Sequence, residues 1–294
     1  MSSSPVPADT QPLRTPAEPR VWLITGCSSG LGRSLVERAL AAGDRVVATA
    51  RLVESLQPLL RLSADSLIVS ALDVTKPDQI RAAVAEAYAA WGRIDVVVNN
   101  AGYGLIGAVE ECSDEQMARN LDTNLMGPIR VIRAVLPILR RQGSGHFIQI
   151  SAAAAISNYA GFGIYGASKC GLEGLSEALR AELAPLGIRV TIVQPGPFRT
   201  EFISRSLERA ATVIPEYATT SGRFAQFLER MSGRQPGDPD RAAAAIVDMV
   251  HQGKAPMRMA LGRYAVEKIR KWVQTRDAEA LEWSATAASA DFPP

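Results

Sequence analysis

The segment VWLITGCSSGLG, Val21–Gly32, constrains the chain more than any other. Five residues of apolar, β-type sequence run into Gly26 and a small polar turn. From Leu31 the apolar positions Leu31, Leu35, Ala39 and Leu40 then recur at helical spacing until Gly43. Periodicity that changes from strand to helix across a glycine turn opens a βαβ unit, and such units build parallel sheets.

The rest of the chain continues that rhythm. Strands are expected at Arg45–Ala50, Ser66–Val74, Ile94–Asn100, His146–Ser151 and Ile188–Gln194, with a seventh near Pro256–Gly262. Helices are expected near Val53–Leu60, from Pro77 to Gly92, through much of the stretch up to Arg141, and from Tyr165 to about Leu186. The strands are continuous apolar runs, as strands buried on both faces require. The reading is one α/β domain over 21–294: a doubly wound, Rossmann-type, mostly parallel seven-stranded sheet with helices on both faces. The Pro- and Ser-rich residues 1–20 read as a disordered tail. Residues 201–238 break the rhythm without a clear strand and fall where ligands sit in such sheets, so they are expected to form a substrate lid. Residues 263–294 form a C-terminal extension.

Composition excludes several roles. With 32 basic and 30 acidic residues the net charge is +2, which gives no electrostatic case for nucleic acid or an anionic membrane. No apolar run reaches the ~20 residues of a membrane span. The three cysteines, Cys27, Cys112 and Cys170, show no metal spacing and read as reduced thiols of a cytoplasmic protein.

The turn after the first strand, TGCSSGLG, is suited to a dinucleotide. Gly26 permits a tight turn, Gly30 lets backbone approach a pyrophosphate, and Gly32 allows close helix–strand packing, with free helix N–H groups facing the phosphates. Further on stand NNAG at Asn99–Gly102, DTNLMG with Asn124, YGASK with Tyr165 and Lys169, and PGPFRT at Pro195–Thr200. Together, in this order, they resemble the short-chain dehydrogenase/reductase family over about Val21–Thr200. Tyr165 and Lys169 lie at i and i+4, so both face one side of a helix. An ammonium near the phenol favours the phenolate and is expected to lower its pKa from ~10, readying Tyr165 as acid or base.

The resemblance implies that Lys169 also bonds the nicotinamide ribose and that Asn124 holds a water of the proton relay. It further implies cofactor contacts from Gly26, Ser28, Ser29, Gly30, Leu31, Gly32, Arg51, Asp73, Val74, Asn100, Ala101, Gly102, Tyr165, Lys169, Pro195, Gly196, Phe198 and Thr200. Asp73 and Val74 would flank the adenine, Asn100 the ribose and Thr200 the carboxamide. One landmark is displaced. The family serine, thirteen residues before the tyrosine, falls on Ala152, with Ser151 one position earlier. Strand side chains alternate faces, so Ser151 should point away from the site unless a bulge turns it back. Ser157 or Asn158 could supply another donor.

The second strand ends in Ala50–Arg51, without the acidic residue that reads a ribose 2′-hydroxyl. A guanidinium there suits a 2′-phosphate, which indicates NADP(H) over NAD. The function expected is an NADP-dependent oxidoreductase interconverting a carbonyl and a secondary alcohol on a fairly apolar small molecule. Tyr103, Leu105, Tyr159, Phe162, Phe198 and Phe202 are expected near the pocket mouth, and the long C-terminal part resembles steroid- and retinol-type members in layout. Two alternatives remain open: an NADP(H)-binding sensor or partner-binding protein with little turnover, motivated by Ala152, and a redox-neutral epimerase or dehydratase. The helices near Ile129–Arg141 and Tyr165–Leu186 resemble those of the family's dimer interface, which implies a homodimer or homotetramer.

Overall fold

The computed structural model describes residues 18–63 and 65–292, so the tail expected over 1–20 lies almost wholly outside the described residues. In chain order the strands are β1 (Val21–Ile24), β2 (Arg45–Ala50), β3 (Leu67–Ala71), β4 (Val96–Asn99), β5 (Gly104–Ile106), β6 (Gly145–Ile150), β7 (Ile188–Pro195), β8 (Leu207–Arg209) and β9 (Arg258–Leu261). The α-helices are α1 (Gly30–Ala41), α2 (Pro77–Trp91), α3 (Asp114–Leu121), α4 (Gly127–Gln142), α5 (Ala153–Ile156), α6 (Gly163–Leu183), α7 (Phe202–Arg205), α8 (Arg223–Met231), α9 (Pro239–His251), α10 (Arg263–Glu282) and α11 (Ser284–Ala288). Seven strands form one sheet in the order β3-β2-β1-β4-β6-β7-β9, every neighbouring pair parallel. The chain reverses its direction of travel across the sheet between β1 and β4, and a crevice opens there beyond the strands' carboxyl ends.

Alternation along the buried strands divides the core in two. Trp22, Ile24, Val46, Ala48 and Ile148 pack on one face with Leu35 and Val36 of α1 and Ile246 and Val247 of α9. Leu23, Val47, Val97, Phe147 and Val190 pack on the other with residues of α2, α4 and α6. Both faces are covered, so the doubly wound reading holds.

Three local features refine the expected layout. The helix expected near Val53–Leu60 is present as a 3₁₀ helix, Val53–Arg61, with Pro58 inside it and so without an N–H to donate at that point. The 201–238 segment does contain a strand: β8 pairs in parallel with β5, Gly104 opposite Leu207. Two short strands of mixed composition carry no periodicity long enough to read. Finally, Asn124 lies not in a regular α-helix but in a π-turn, Asp122–Met126, that joins α3 to α4.

One buried carboxylate ties the sheet to its covering layer. Asp44 accepts hydrogen bonds from Trp22 Nε1 at 2.7 Å, from the Arg20 amide at 2.9 Å and from His251 Nε2 of α9 at 2.7 Å. Replacing Asp44 by Ala strands the buried indole N–H without an acceptor. The expected cost is roughly 1–3 kcal/mol, read as a lower urea midpoint, with Asp44→Asn milder because it keeps one acceptor oxygen.

Candidate active site

The loop between β1 and α1 is shaped by contacts that leave no space for side chains. Gly26 has φ +73°, and a Cβ there would come within 2.8 Å of Ala101 Cα. A Cβ on Gly32 would strike the Gly26 carbonyl and the Asn100 amide. The strip after β4 is clamped against this loop. Thr25 Oγ1 accepts from the amides of Asn100 and Ala101, each at 3.0 Å. Asn100 Nδ2 donates to the carbonyls of Thr25 and Gly26, each at 2.9 Å. The first turn of α1 has no acidic residue and Ser29 makes no side-chain cap, which leaves its N–H groups without a side-chain partner, as a phosphate site needs. These features fit a dinucleotide.

The YGASK residues lie at the start of α6. Tyr165 and Lys169 are both buried, at 6% and 4% exposure. Lys169 Nζ donates to the Ile150 carbonyl at the end of β6 at 2.9 Å. Burial lowers the Lys169 ammonium from 10.5 to about 8 and pushes the Tyr165 phenol above its ordinary value. The phenol's direction is opposite to that expected from a neighbouring ammonium: desolvation outweighs the attraction, because Nζ lies 6.0 Å from the ring centroid and is engaged by a carbonyl. No described group bonds the Tyr165 hydroxyl. Asn124 is fully buried; its amide donates to the Tyr103 carbonyl at 2.8 Å and to Ser168 Oγ at 3.2 Å, and its oxygen accepts from the Tyr103 amide at 3.0 Å. Gly102 lets these groups converge: a Cβ there would lie 2.9 Å from Asn124 Oδ1 and 3.4 Å from Lys169 Nζ.

Ser151 lies on the wall of the site cavity, but its hydroxyl is committed to a partner other than Tyr165. Its hydroxyl donates to Glu173 Oε1 at 2.6 Å. Glu173 also accepts from Gln194 Nε2 at 2.9 and 3.0 Å and from Arg258 Nε at 3.2 Å. Ala152 instead packs against the cluster that contains Tyr165 and Phe162. No bulge restores the serine.

A cavity of about 440 Å³ joins these parts. Its walls include Ser29, Gly30, Leu31 and Gly32 from the glycine loop, Asn100, Gly102, Ser151, Ala152, Tyr165 and Lys169, and Pro195, Gly196, Phe198 and Thr200 after β7. Thr200 lies against Gly30, within 3.1 Å of where its Cβ would be. The other end is aromatic: Tyr159, Phe162, Phe202 and Phe224 line it, Tyr159 stacked on Phe224 at 4.9 Å and Phe162 edge-on to Tyr165 at 5.0 Å. Tyr103 and Leu105, expected at the mouth, do not line it; Leu105 is 1% exposed and belongs to β5. Neither Ser157 nor Asn158 reaches it, and Asn158 Nδ2 is used by the Phe162 carbonyl at 3.1 Å.

Gly26, Ala101, Arg51, Asp73 and Val74 lie outside this cavity. Asp73 Oδ1 accepts from Thr75 N and Oγ1 at 2.9 and 2.8 Å. Arg51 is exposed beyond β2, and Ser28 lines a polar groove beside the glycine loop with Arg33 and Ser55. Sequence reasoning missed Phe224, Phe227, Gln235 and Tyr264, all on the cavity wall and all beyond the recognisable motifs.

The model of short chain dehydrogenases matches residues 20–211. The chain belongs to the short-chain dehydrogenase/reductase family. This short-chain dehydrogenase/reductase is 37% identical over 265 residues to oxidoreductase BOA17 of Botryotinia fuckeliana, across 90% of the chain and 96% of the relative. It is 32% identical to human retinol dehydrogenase 8, across 82% and 81%. A crystal structure of a short-chain dehydrogenase from Streptomyces avermitilis superposes with TM-score 0.86 at 40% identity, covering 92% of this chain and all of that one. Among more distant structures of the fold, a Burkholderia phymatum protein is in complex with NAD (TM-score 0.79, 22% identity, 90% and 95% covered). A serine dehydrogenase is complexed with NADP⁺ (TM-score 0.69, 28% identity, 82% and 94% covered).

Lys169 gives a test of its burial. Between about pH 8 and 10.5 its folded form binds fewer protons than the unfolded chain, so its contribution makes stability rise with pH across that window. The difference in urea midpoint between wild type and Lys169→Met should therefore shift in favour of wild type from pH 8 to 10.5. Parallel curves would show that the ammonium is not desolvated.

Proposed function

We propose that the protein is an NADP(H)-dependent oxidoreductase interconverting a carbonyl and a secondary alcohol on a fairly apolar small molecule, with Tyr165 as acid/base. The observation that carries this reading is one continuous cavity running from the glycine loop, past Lys169 and the unbonded Tyr165 hydroxyl, to an aromatic chamber. A bound nicotinamide cofactor would supply hydride to the carbonyl carbon, or accept it from the alcohol carbon. The glycine loop and the α1 N-terminus would hold its pyrophosphate, Asp73 and Val74 would flank its adenine, and Asn100 and Pro195–Thr200 would lie along its nicotinamide side. Tyr165 would donate the proton that, with the hydride, completes reduction of the carbonyl to an alcohol.

Burial keeps the Tyr165 phenol protonated, the form that reduction of a carbonyl requires. Lys169, mostly cationic below about pH 8, stabilises the phenolate left behind. Asn124, fixed by Tyr103 and Ser168, lines the route by which that proton is restored. The apolar chamber agrees with the names of relatives such as retinol dehydrogenase 8.

The Ser151–Glu173 bond favours a second reading, an NADP(H)-binding protein with weak turnover, since no serine hydroxyl joins Tyr165. Losing one donor to an oxyanion costs ~10²–10³ in rate where it has been tested, which slows such an enzyme without silencing it. Tyr165→Phe separates the two readings. In an enzyme it lowers kcat by roughly 10²–10⁴ while NADPH affinity, followed by fluorescence, is retained; equal, trace turnover in both proteins supports the binding role.

For cofactor choice, Arg51 stands at the end of β2 with no carboxylate paired to it among the described residues. Arg51→Ala should weaken NADPH about 10-fold or more, as loss of a charge-assisted bond does, and leave NADH unchanged. Equal affinities before and after would end the NADP assignment.

A further inference from the structure

One polar side chain on the cavity wall has no bonding partner. Gln235 is 1% exposed and lines the same cavity as Tyr165. Neither its amide nitrogen nor its amide oxygen has a partner among the described residues. Asn99, His146, Gln149 and Gln194 also have an unpaired buried atom, but each uses its other polar atom in a hydrogen bond within the sheet region. Of these residues, Gln235 alone lines the cavity and has both atoms unpaired.

Its backbone, by contrast, is pinned. The Gln235 carbonyl accepts from Arg199 Nε at 3.2 Å. Two residues on, Gly237 donates to the Pro197 carbonyl at 3.0 Å and accepts from the Arg199 amide at 2.8 Å. A Cβ on Gly237 would collide with the Phe198 ring, so the loop is seated as closely as a backbone can be. A fixed backbone presenting a fully unpaired, desolvated amide is an expensive arrangement for an empty pocket, because buried polar groups are nearly always bonded.

We infer that Gln235 is a substrate-recognition residue whose amide bonds a second oxygen function of the substrate, a neutral hydroxyl separate from the carbonyl that meets Tyr165. The inference rests on the proposed carbonyl–alcohol chemistry and deepens it. A neutral hydroxyl can donate to Oε1 or accept from Nε2. A carboxylate is disfavoured, since Lys169, the cation on this wall, is already engaged by Ile150. Phe227, Leu228 and Met231 precede Gln235 on the same segment and line the same cavity, so the body around that hydroxyl is apolar. The substrate class is a hydroxy-ketone on an apolar skeleton. Selectivity of this kind is strong because a buried amide left unpaired penalises the analogue that lacks the hydroxyl.

The test compares wild type with Gln235→Met, using α-tetralone and the set of its monohydroxy derivatives as probes. The thermal midpoint of the ligand-free variant should equal or exceed that of wild type, whereas an amide with a structural role would lower it. At least one hydroxy derivative should surpass the parent ketone in wild-type kcat/KM. The variant should lose roughly 10-fold or more on that derivative, stay within about threefold on the parent, and keep its NADPH affinity. Equal losses on both ketones, a fall in NADPH affinity, or no wild-type preference for any derivative would overturn the inference. If NADPH is consumed with none of the ketones, the carbonyl–alcohol reading fails by itself. Calorimetric titration of the same ketones into NADP⁺-containing protein then decides on Gln235: a hydroxyl preference lost in the variant upholds it, and unchanged affinities overturn it.

Discussion

The seating of α6 on the end of β6 is the constraint from which the site follows. Tyr165, Lys169 and Glu173 are spaced by four, so they form one stripe along the helix. Two successive turns of that stripe grip two successive residues of the strand: Lys169 takes the Ile150 carbonyl and Glu173 takes the Ser151 hydroxyl. With those bonds made, the turn before them places the Tyr165 ring in the aromatic chamber, and Ala152 is the next strand-end residue to face it. Glu173 is itself held by Gln194 of β7 and Arg258 of β9. Three adjacent strands therefore share in positioning one tyrosine.

The glycine loop is placed by an equally local clamp. Thr25 and Asn100 belong to the two sequence motifs that flank the point where the chain changes direction, and they bond each other's backbones. Glycine is required where those backbones meet because Ala101 and Asn100 already fill the space. The crevice is formed by this contact.

Much of this could be read from the residues. Continuous apolar runs gave the parallel sheet, and the spacing of Tyr165 and Lys169 gave their common face. What could not be read depends on contacts between distant segments. Glu173, the partner of Ser151, looks like any surface glutamate of an amphipathic helix until the sheet is assembled. The upward direction of the Tyr165 phenol depends on how completely the fold excludes water, a property of packing rather than of neighbours in sequence. The chamber wall beyond residue 201 is drawn from short helices and from α10, through Tyr264, whose hydroxyl meets that of Tyr159 at 2.6 Å. Phe224, Phe227, Leu228 and Met231 do recur at helical spacing on α8, but that spacing marks an apolar face without saying which cavity the face lines. The motifs shared with the family lie along the glycine-loop end of the cavity, and the segments beyond them make up much of the chamber's far wall.

The π-turn at Asp122–Met126 has a consequence of its own. Widening a helix by one residue in a single turn rotates everything downstream of it by about 100°. Asn124 can thus look toward Tyr103 and Ser168 while α4 still lays Val131, Val135 and Leu139 on the sheet. One continuous helical path serves two masters with incompatible phases, and the extra residue reconciles them. Along this path insertions and deletions are more dangerous than substitutions: losing one residue would force a choice between the core and the site.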